Sequence, residues 1–293
     1  MGEVIRGLAG GGAFRVLAAD ATDAVEEARR RHRLSPTATA ALGRALTGAA
    51  LLAHLLTKSP RERVTLKVEG DGPLGHLLAE ASVDGLVRGY VAEPAADLPP
   101  TERGKLDVGG LVGKGELRVM RSLPGGEVYD SSVPLVSGEL AEDLAHYLLS
   151  SEQIPSAVLL GVRLSPGEGE VASAGGAVIQ VMPGADEEAI SRLEANLSEL
   201  PGFSSLLAER GLRGAVAEVL GGLDFEPVGD PLPLSFGCRC SRDKARDSLR
   251  FFSPEELAEM AAEGGAEVVC RWCGKVYRFS PEELRGLIPP GDR

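Results

Sequence analysis

Four cysteines are the residues in this sequence whose type and spacing could do chemistry. They form two close pairs, Cys238-Arg-Cys240 and Cys270-Arg-Trp-Cys273, with 29 residues between the pairs, and the chain has no other cysteine. Two such pairs can each supply two corners of a tetrahedral S₄ shell around Zn²⁺. The same thiols are the most readily oxidised groups in the chain. The spacing therefore predicts a site that binds metal, senses oxidants, or does both.

The expected oxidation state of these thiols depends on the compartment. The first residues include Glu3 and Arg6 and no apolar signal region, and the most apolar segment, 45–56, is interrupted by His54 and is too short for a membrane span. We therefore expect a cytoplasmic protein, in which clustered thiols are metal ligands or redox switches more often than permanent disulfides. Two structural disulfides and an inert zinc ribbon are the alternatives.

The composition indicates a soluble globular protein with room for two domains. The 293 residues are 43% apolar, and the mean hydropathy is +0.01. The formal net charge of −12 opposes binding to nucleic acid or to an anionic membrane through a global field, because both depend on clustered Lys and Arg. A partner of either kind would need a local basic patch.

Charge divides the chain into three regions. Residues 1–182 are predicted to form an α+β (mixed α/β) core domain. Residues 183–236 carry ten acidic side chains against three arginines, together with seven glycines and five prolines, and are interpreted as a metastable helical linker. Residues 237–293 have ten basic and ten acidic side chains and contain all four cysteines, so they are interpreted as a zinc-binding redox-switch module.

Residue patterns place the main elements of the first region. Arg63–Glu69 and Glu116–Met120 alternate as strands do. Ser35 followed by Pro36 predicts a helix N-cap, and the helix is expected to run to about residue 56. Ser137 predicts the start of a second helix. Its apolar face comprises Leu140, Leu144, Tyr147 and Leu148. We expect both helices to belong to the core.

The linker is predicted to contain helices too marginal to stand alone. One helix is expected over 186–200, with Ile190, Leu193 and Leu197 on one face, and another over about 203–210. Short helices separated by Gly and Pro depend on docking for their stability. The pattern favours a conditionally folded segment, with an ordinary helical connector as the alternative.

The cysteine module has clear local signals. Ser253 and Ser280 are each followed by Pro-Glu-Glu, the pattern of a capping box at a helix start. Residues 267–270 and 275–279 are predicted to be short strands around the Cys-Arg-Trp-Cys-Gly turn, as in a zinc knuckle. A module of 57 residues has a small core, so a metal ion is expected to stabilise its fold.

No motif predicts enzymatic catalysis. Residues 70–75 (GDGPLG) match the glycine spacing of a dinucleotide site, but Pro73 and the strand-like stretch that follows favour a β-turn. Residues 109–115 resemble a P-loop without its Ser or Thr and are also predicted to be a turn. The histidines show no metal-binding or catalytic spacing: His32, His54, His76 and His146.

One local basic cluster keeps a rival function open. A zinc ribbon that binds nucleic acid would use the side chains of this basic cluster, although Asp243 and Asp247 reduce its positive charge. The cluster comprises Arg239, Arg242, Lys244, Arg246 and Arg250. A thiol-disulfide oxidoreductase, which turns over and has little need of zinc, is the second rival.

Beyond the cysteines, segments along nearly the whole chain resemble a known family. The cysteine pairs at this separation, near the end of a chain of this length, are similar to those of the thirty-three-kilodalton heat-shock protein family of bacterial redox-regulated chaperones. Four further segments resemble that family in order: LSPTATAALGRALTGAALLA (34–53), GDGPLG (70–75), VPLVSGELAEDLAHYLLSSEQIPSAV (133–158) and GGAVIQVMPGA (175–185).

The resemblance implies a specific function. It implies a reduced, inactive form in which Cys238, Cys240, Cys270 and Cys273 all bind one Zn²⁺. Oxidation would then join Cys238 to Cys240 and Cys270 to Cys273, release zinc, unfold the module and loosen the linker. The activated protein would be a homodimer, through the first domain, that holds unfolding client proteins without ATP during oxidative and thermal stress. It would not be an enzyme, and neither membrane nor nucleic acid is expected as a partner.

Overall fold

The structure, a computed structural model, describes residues 2–102, 104–167 and 169–288. It divides into two compact units with the boundary between Gly237 and Cys238. The residues predicted to form a linker therefore pack within the first unit, whereas the four cysteines belong to the second. The three-part division by stability remains a prediction, because packing alone does not rank the stabilities of these segments.

The first unit mixes strands and helices, which confirms the predicted mixed α/β class. In chain order its elements are β1 (Gly2–Ala9), β2 (Phe14–Asp20), α1 (Thr22–His32), α2 (Pro36–Leu56), β3 (Arg63–Gly70), β4 (His76–Ala81), β5 (Leu86–Val91), α3 (Val108–Val112), β6 (Gly115–Ser122), β7 (Val128–Pro134), α4 (Ala141–Ser150), β8 (Ser156–Leu164), β9 (Val171–Val181), α5 (Glu187–Glu199), α6 (Phe203–Leu220), β10 (Phe225–Pro227) and β11 (Leu232–Phe236).

One large sheet organises this unit. Its strands lie in the order β7-β6-β3-β4-β5-β11-β1-β2-β9-β8, and β10 also pairs with β1. The β11–β5 pair is parallel, and β11 pairs antiparallel with β1 on its other side. Neighbouring residues on β9 point to opposite faces, since a Cβ at Gly175 would meet Leu207 of α6 and one at Gly176 would meet Thr47 of α2. Helices α2 and α6 therefore cover opposite faces.

Helix α2 is the central core helix that its sequence predicts. Ser35 Oγ accepts the backbone N–H of Ala38, and Pro36 is the first helical residue. At the other end Arg15 and Arg121 donate to the carbonyls of His54 (3.3 Å) and Leu56 (3.2 Å). Segment 45–56 alone was expected to be too short to span a membrane. The whole of α2 is long and apolar enough to do so, but 83% of its apolar window is buried inside the protein.

The start of α4 corrects one prediction. Ser137 is not its N-cap, because the helix begins at Ala141 and Ser137 Oγ accepts instead from the N–H of Glu139. The buried carboxylate of Asp143 organises this turn. It accepts the backbone N–H groups of Val136 at 2.7 Å and Leu140 at 2.8 Å, among others. The predicted apolar face, Leu140, Leu144, Tyr147 and Leu148, is buried.

The two glycine-rich motifs pack against each other. Residues 70–75 form the predicted turn, closed by the N–H of Gly75 bonding to the carbonyl of Gly72. The prediction of a turn over 109–115 was wrong in part, because its first residues form the one-turn helix α3. A Cβ at Gly70 would lie 1.9 Å from the carbonyl oxygen of Val112, so glycine is required there for close backbone approach.

The predicted linker is docked on the face of the sheet opposite α2. Helix α6 is longer than expected and continues past Arg210 with a kink at Gly211 (φ 66°, ψ 179°). The strands β10 and β11 were not predicted, because each is very short and is flanked by Pro and Gly. The shared core comprises Ile5, Ala9, Phe14, Val16, Ala18, Ala177 and Ile179 of the sheet with Leu193, Phe203, Leu206, Leu207, Leu212, Ala215, Val216, Val219 and Leu220 of the two helices.

Protonation of His54 should weaken the first unit in acid. The side chain is 8% exposed, and burial, aided by the charge of Arg6, lowers its pKa to about 4. Its Nε2 has no hydrogen-bond partner among the described residues. The unfolded chain takes up the proton below a pH of about 6.5. Stability should therefore fall between about pH 6.5 and 4, by on the order of 3 kcal/mol, and the loss should be complete below 4.

The measurement is urea unfolding followed by far-UV circular dichroism at a series of pH values. His54→Leu should flatten the fall in unfolding free energy by about that amount, whereas His146→Leu, at a half-buried site on α4, serves as the control for losing an imidazole elsewhere. An unchanged pH slope in His54→Leu would show that His54 is not the group responsible.

Candidate metal centre

The second unit is a small α/β module in which the caps and strands predicted from local residue patterns form. Its elements are α7 (Arg242–Leu249), α8 (Pro254–Ala262), β12 (Ala266–Val269), β13 (Val276–Phe279) and α9 (Pro281–Arg285). Both predicted capping boxes form, with Ser253 and Ser280 as N-caps of α8 and α9. The first helix, α7, was not predicted, although Ser241 caps it by accepting the N–H of Lys244.

The apolar core of this module is small. Its buried residues are Ala245, Leu249, Leu257, Ala261, Tyr277, Phe279 and Leu284. Cores of this size contribute only a few kcal/mol of net stability. The fold of the described part of the module therefore needs a further source of stabilisation, and the cysteines are placed to provide it.

The four sulfur atoms converge on one point. All four Sγ atoms lie within 4.8 Å of one another, and none of the cysteines forms a disulfide. Cys238 and Cys270 are 3.8 Å apart and Cys240 and Cys273 are 3.5 Å apart, measured between their Sγ atoms. A tetrahedral site with metal–sulfur bonds of about 2.3 Å has edges of about 3.8 Å. The arrangement therefore fits one four-coordinate metal ion, and ligation by these residues remains a prediction.

Local backbone structure presents the second cysteine pair. The N–H groups of Cys273 and Gly274 both bond to the carbonyl of Cys270, at 3.3 and 2.8 Å. Gly274 has φ 67°, the left-handed conformation that the Cys-Arg-Trp-Cys-Gly pattern anticipates. The predicted turn is thus confirmed, with β12 and β13 as its two arms in antiparallel register.

The charges at this site favour a bound cation. Burial raises the pKa of Cys270 and of Cys273. At Cys240 burial acts in the same direction, but hydrogen bonds from Tyr277 and from the neighbouring thiols outweigh it and leave the pKa lowered. Once one thiol ionises, its charge opposes ionisation of the next. A divalent cation removes this conflict, because metal binding drives off the thiol protons.

Tyr277 contacts the site, and the sequence analysis missed it. Its hydroxyl donates to Cys240 Sγ at 3.1 Å, and the same interaction raises the pKa of Tyr277 to about 12. The signal was present in the strand, because alternation over residues 275–279 places Tyr277 and Phe279 on one face, and that face is buried. Such an outer contact orients a metal ligand and tunes its reactivity.

The basic cluster of the module is largely neutralised by its neighbours. Arg242 makes two bonds to the Glu283 carboxylate, at 2.7 and 2.9 Å, and its guanidinium lies 4.6 Å from the ring centre of Phe279. Arg246 pairs with Asp243 and Arg250 with Asp247. These pairs remove much of the local field that a nucleic-acid surface would need, so the structure gives the zinc-ribbon rival no support.

The fold and the site together define a class of protein. A large mixed α/β unit precedes a small module in which four reduced thiols are arranged for one metal ion. Among the described residues this is the one such group of His, Cys, Asp or Glu side chains. The two glycine-rich motifs serve packing in the first unit. The class is therefore a protein with a large mixed α/β domain and a small module whose four cysteines form a candidate metal site.

Comparison with known proteins identifies the family. The family model described as Hsp33 protein matches residues 2–280. The 33 kDa chaperonin of one Thermus thermophilus strain is 65% identical over 98% of this chain and 87% of its own length. That of Deinococcus radiodurans is 52% identical over 97% of both chains. The crystal structure of a 33 kDa chaperonin from Thermotoga maritima superposes with a TM-score of 0.89 at 41% identity, covering 97% of each chain.

This chain therefore belongs to the Hsp33 family, whose named relatives are chaperonins rather than enzymes. The family resemblance found in the sequence is confirmed. The match covers both units, including the module with the four cysteines up to residue 280.

Cobalt should report the geometry of the site. We expect the reduced protein to bind one Co²⁺ per chain and to develop the intense visible absorption of a tetrahedral thiolate complex. Cys273→Ser should weaken binding by more than about a hundredfold, beyond the effect typical of losing an outer contact. Ser241→Ala, which removes the cap of α7 but no thiol, is the matched control and should keep the spectrum. A weak spectrum of octahedral type in the unchanged protein would contradict the S₄ site.

Proposed function

We propose that this protein is a redox-regulated holdase chaperone. In the reduced state it is inactive and its four cysteines bind zinc; oxidation of the thiols releases zinc and allows the protein to bind unfolding clients without ATP. The observation that carries the proposal is the convergence of four reduced thiols within 4.8 Å in a module with a small core. The family membership supports it, since the named relatives are chaperonins.

Zinc is the metal that best suits the donor set. Four thiolates at tetrahedral spacing are typical of structural Zn²⁺ sites, whereas Mg²⁺ and Ca²⁺ require oxygen ligands. Bound zinc supplies charge neutralisation and a crosslink between the two cysteine pairs, worth ~10–16 kcal/mol of apparent folding free energy in peptide models. In the proposed reduced form Cys238, Cys240, Cys270 and Cys273 are all ligands.

Oxidation is expected to dismantle the site. For each disulfide, one thiolate gives an electron pair to a peroxide oxygen, the O–O bond breaks, and a sulfenic acid and hydroxide form. A second thiolate then attacks that sulfur, the S–S bond forms, and the hydroxyl leaves with a proton as water. Cys238–Cys240 and Cys270–Cys273 are the proposed pairs. All four Sγ atoms lie within 4.8 Å of one another in the reduced site, and an S–S bond is about 2.05 Å long, so forming the disulfides requires sulfur atoms to move together and the S₄ arrangement to be lost.

The proposed client-binding surface is uncovered when α5 and α6 leave the sheet. Leu193 is the one fully buried residue of α5, whereas α6 contributes Phe203, Leu206 and several others to the shared core. Undocking would expose this apolar face and the sheet residues beneath it. Exposed apolar surface of that kind binds other apolar surface.

The chain itself connects the two events. Strand β11 ends at Phe236, shortly before Cys238, and holds the end of the linker against β1 and β5. Unfolding the module turns β11 into the last ordered strand before a loose tail, and such terminal segments open first. The net charge of −7 over residues 183–236 would help to keep the open form soluble.

The remaining partners follow from the family and the sequence. We propose that the oxidised protein acts as a homodimer through the first unit, that its clients are unfolding proteins, and that it works in the cytoplasm, where reduced thiols are the resting state. Neither nucleic acid nor a membrane is a proposed partner.

Peroxide at raised temperature tests the function. We expect the reduced protein to hold one zinc and to leave a thermally unfolding client to aggregate. After peroxide treatment it should have released the zinc, formed two disulfides and suppressed aggregation without ATP. Trp272, the only tryptophan, reports the module directly through its fluorescence.

The rivals predict different results in the same experiment. A thiol-disulfide oxidoreductase would turn over a disulfide substrate and lose little on zinc removal, and a nucleic-acid binder would be active when reduced. A protein that keeps its zinc, or never protects a client after full thiol oxidation, is not the proposed chaperone.

Gly211 should control how tightly the linker docks. Its φ of 66° with ψ of 179° lies in a region that is essentially restricted to glycine. Gly211→Ala should strain the docked conformation by on the order of 1–3 kcal/mol, although a Cβ there meets no atom within 4 Å. The variant should be activated at a lower temperature or by less peroxide, with zinc binding unchanged.

The control is Gly202→Ala, at which φ is −57° and a Cβ likewise meets nothing within 4 Å. Hydrogen exchange over residues 187–220 measures docking separately from activity. Equal exchange and equal activation in both variants would mean that the kink does not restrain the linker.

A further inference from the structure

We propose that Tyr277 restrains Cys240 as a nucleophile and thereby sets how fast this thiol reacts with oxidants while the module is folded. The inference concerns regulation of the same site, and it rests on the proposed function. The observation behind it is a specific contact that neither the cysteine spacing nor the family membership assigns.

The contact links two distant parts of the module. The Tyr277 hydroxyl donates to Cys240 Sγ at 3.1 Å, although the two residues are 37 positions apart. Tyr277 lies on β13, just after the second cysteine pair, whereas Cys240 belongs to the first pair. The hydroxyl therefore crosses the site from one half of the module to the other.

Packing holds the Tyr277 ring in this orientation. The residue is 6% exposed and belongs to the small core, opposite Val268 in the β12–β13 ladder. The Lys275 ammonium lies 5.1 Å from the ring centre, in the range of a cation–π contact. Because the ring is fixed, the hydroxyl stays directed at sulfur without an entropic cost at the moment of reaction.

The hydrogen bond acts on the electron pair that reacts. When Cys240 attacks hydrogen peroxide, its sulfur gives an electron pair to one oxygen and the O–O bond breaks. The sulfur becomes a sulfenic acid and hydroxide leaves. Negative charge moves off sulfur in that step, so a donor that stabilises charge on sulfur is weakened in the transition state. Tyr277 should therefore slow the attack, as any interaction stronger in the ground state does.

The second pair provides a contrast within the same site. Cys270 accepts a hydrogen bond from the backbone of Trp272, and Cys273 accepts one from the backbone of Lys275. Backbone N–H donors belong to the turn itself, so a side-chain substitution does not remove them. The donor to Cys240 is a side chain, so a single hydroxyl can be removed there while the fold is kept.

The test compares alkylation rates of the four cysteines in zinc-loaded, reduced protein. Iodoacetamide forms an S–C bond to the thiolate and releases iodide, and peptide mass spectrometry resolves each cysteine. Tyr277→Phe keeps the ring and removes the hydroxyl. Cys240 should react about three to ten times faster in this variant, as expected from the loss of one hydrogen bond, while Cys273 should be unchanged. Tyr129→Phe, at an exposed ring in the first unit, is the matched control.

Each outcome decides between specific readings. Faster reaction at Cys240 alone, with zinc stoichiometry and hydrogen exchange of β12–β13 unchanged, supports the proposal. An equal increase at all four cysteines would indicate a loosened module and overturn it, as would an unchanged Cys240 rate. If the unchanged protein never becomes a chaperone, the proposed function fails instead, and the alkylation comparison still reports on Tyr277.

Discussion

Four sulfur atoms confined within 4.8 Å of one another are the constraint on which the module depends. As thiolates they repel, and as neutral thiols they make only weak bonds to each other. A bound divalent cation would convert this unfavourable cluster into a crosslink between the two cysteine pairs. With seven buried residues in its described apolar core, the module has few other stabilising contacts. Under the proposed function, the reduced state of the thiols and the folded state of the module are therefore coupled.

The two faces of the large sheet are covered in very different ways. Helix α2 is buried along nearly its full length, and glycines allow close contact: a Cβ at Gly48 would lie 2.5 Å from Leu144. On the other face α5 buries only Leu193 completely, and α6 is interrupted at Gly211. Local stability follows buried apolar contact. Under the proposed function, the face covered by α5 and α6 is the one that opens while the rest of the sheet persists.

The sequence predicted the features that depend on local chemistry. The cap at Ser35, the boxes at Ser253 and Ser280 and the glycine after Cys273 all formed as expected, because each is decided within a few residues. The features it did not predict depend on partners that no local residue pattern singled out. Asp143 displaced Ser137 at the start of α4 by collecting backbone N–H groups from the preceding turn. Likewise, the strands β10 and β11 exist because β1 offers them a partner.

The candidate metal site shows the same contrast between features that local residue patterns predict and features that they do not. Metal-ligand spacing identified the four cysteines, but it could not show that Tyr277 reaches Cys240 from the far strand or that Glu283 neutralises Arg242. The two contacts join residues 37 and 41 positions apart, and both connect the first half of the module with the second. They form only when the two halves are already together. Under the proposed function, a bound metal ion would hold the two halves together and so favour both outer contacts.

The first unit ends in a short strand. Strand β11 shares only two residue pairs with β5, Ser235 with Leu86 and Phe236 with Val87, and three with β1. Gly85 lets the chain approach closely, since a Cβ there would lie 1.7 Å from the carbonyl oxygen of Pro233. A ladder this short is stable while the chain beyond it is anchored and frays when it is not. Under the proposed function, the strand that precedes Cys238 is therefore where loss of the metal centre first reaches the sheet.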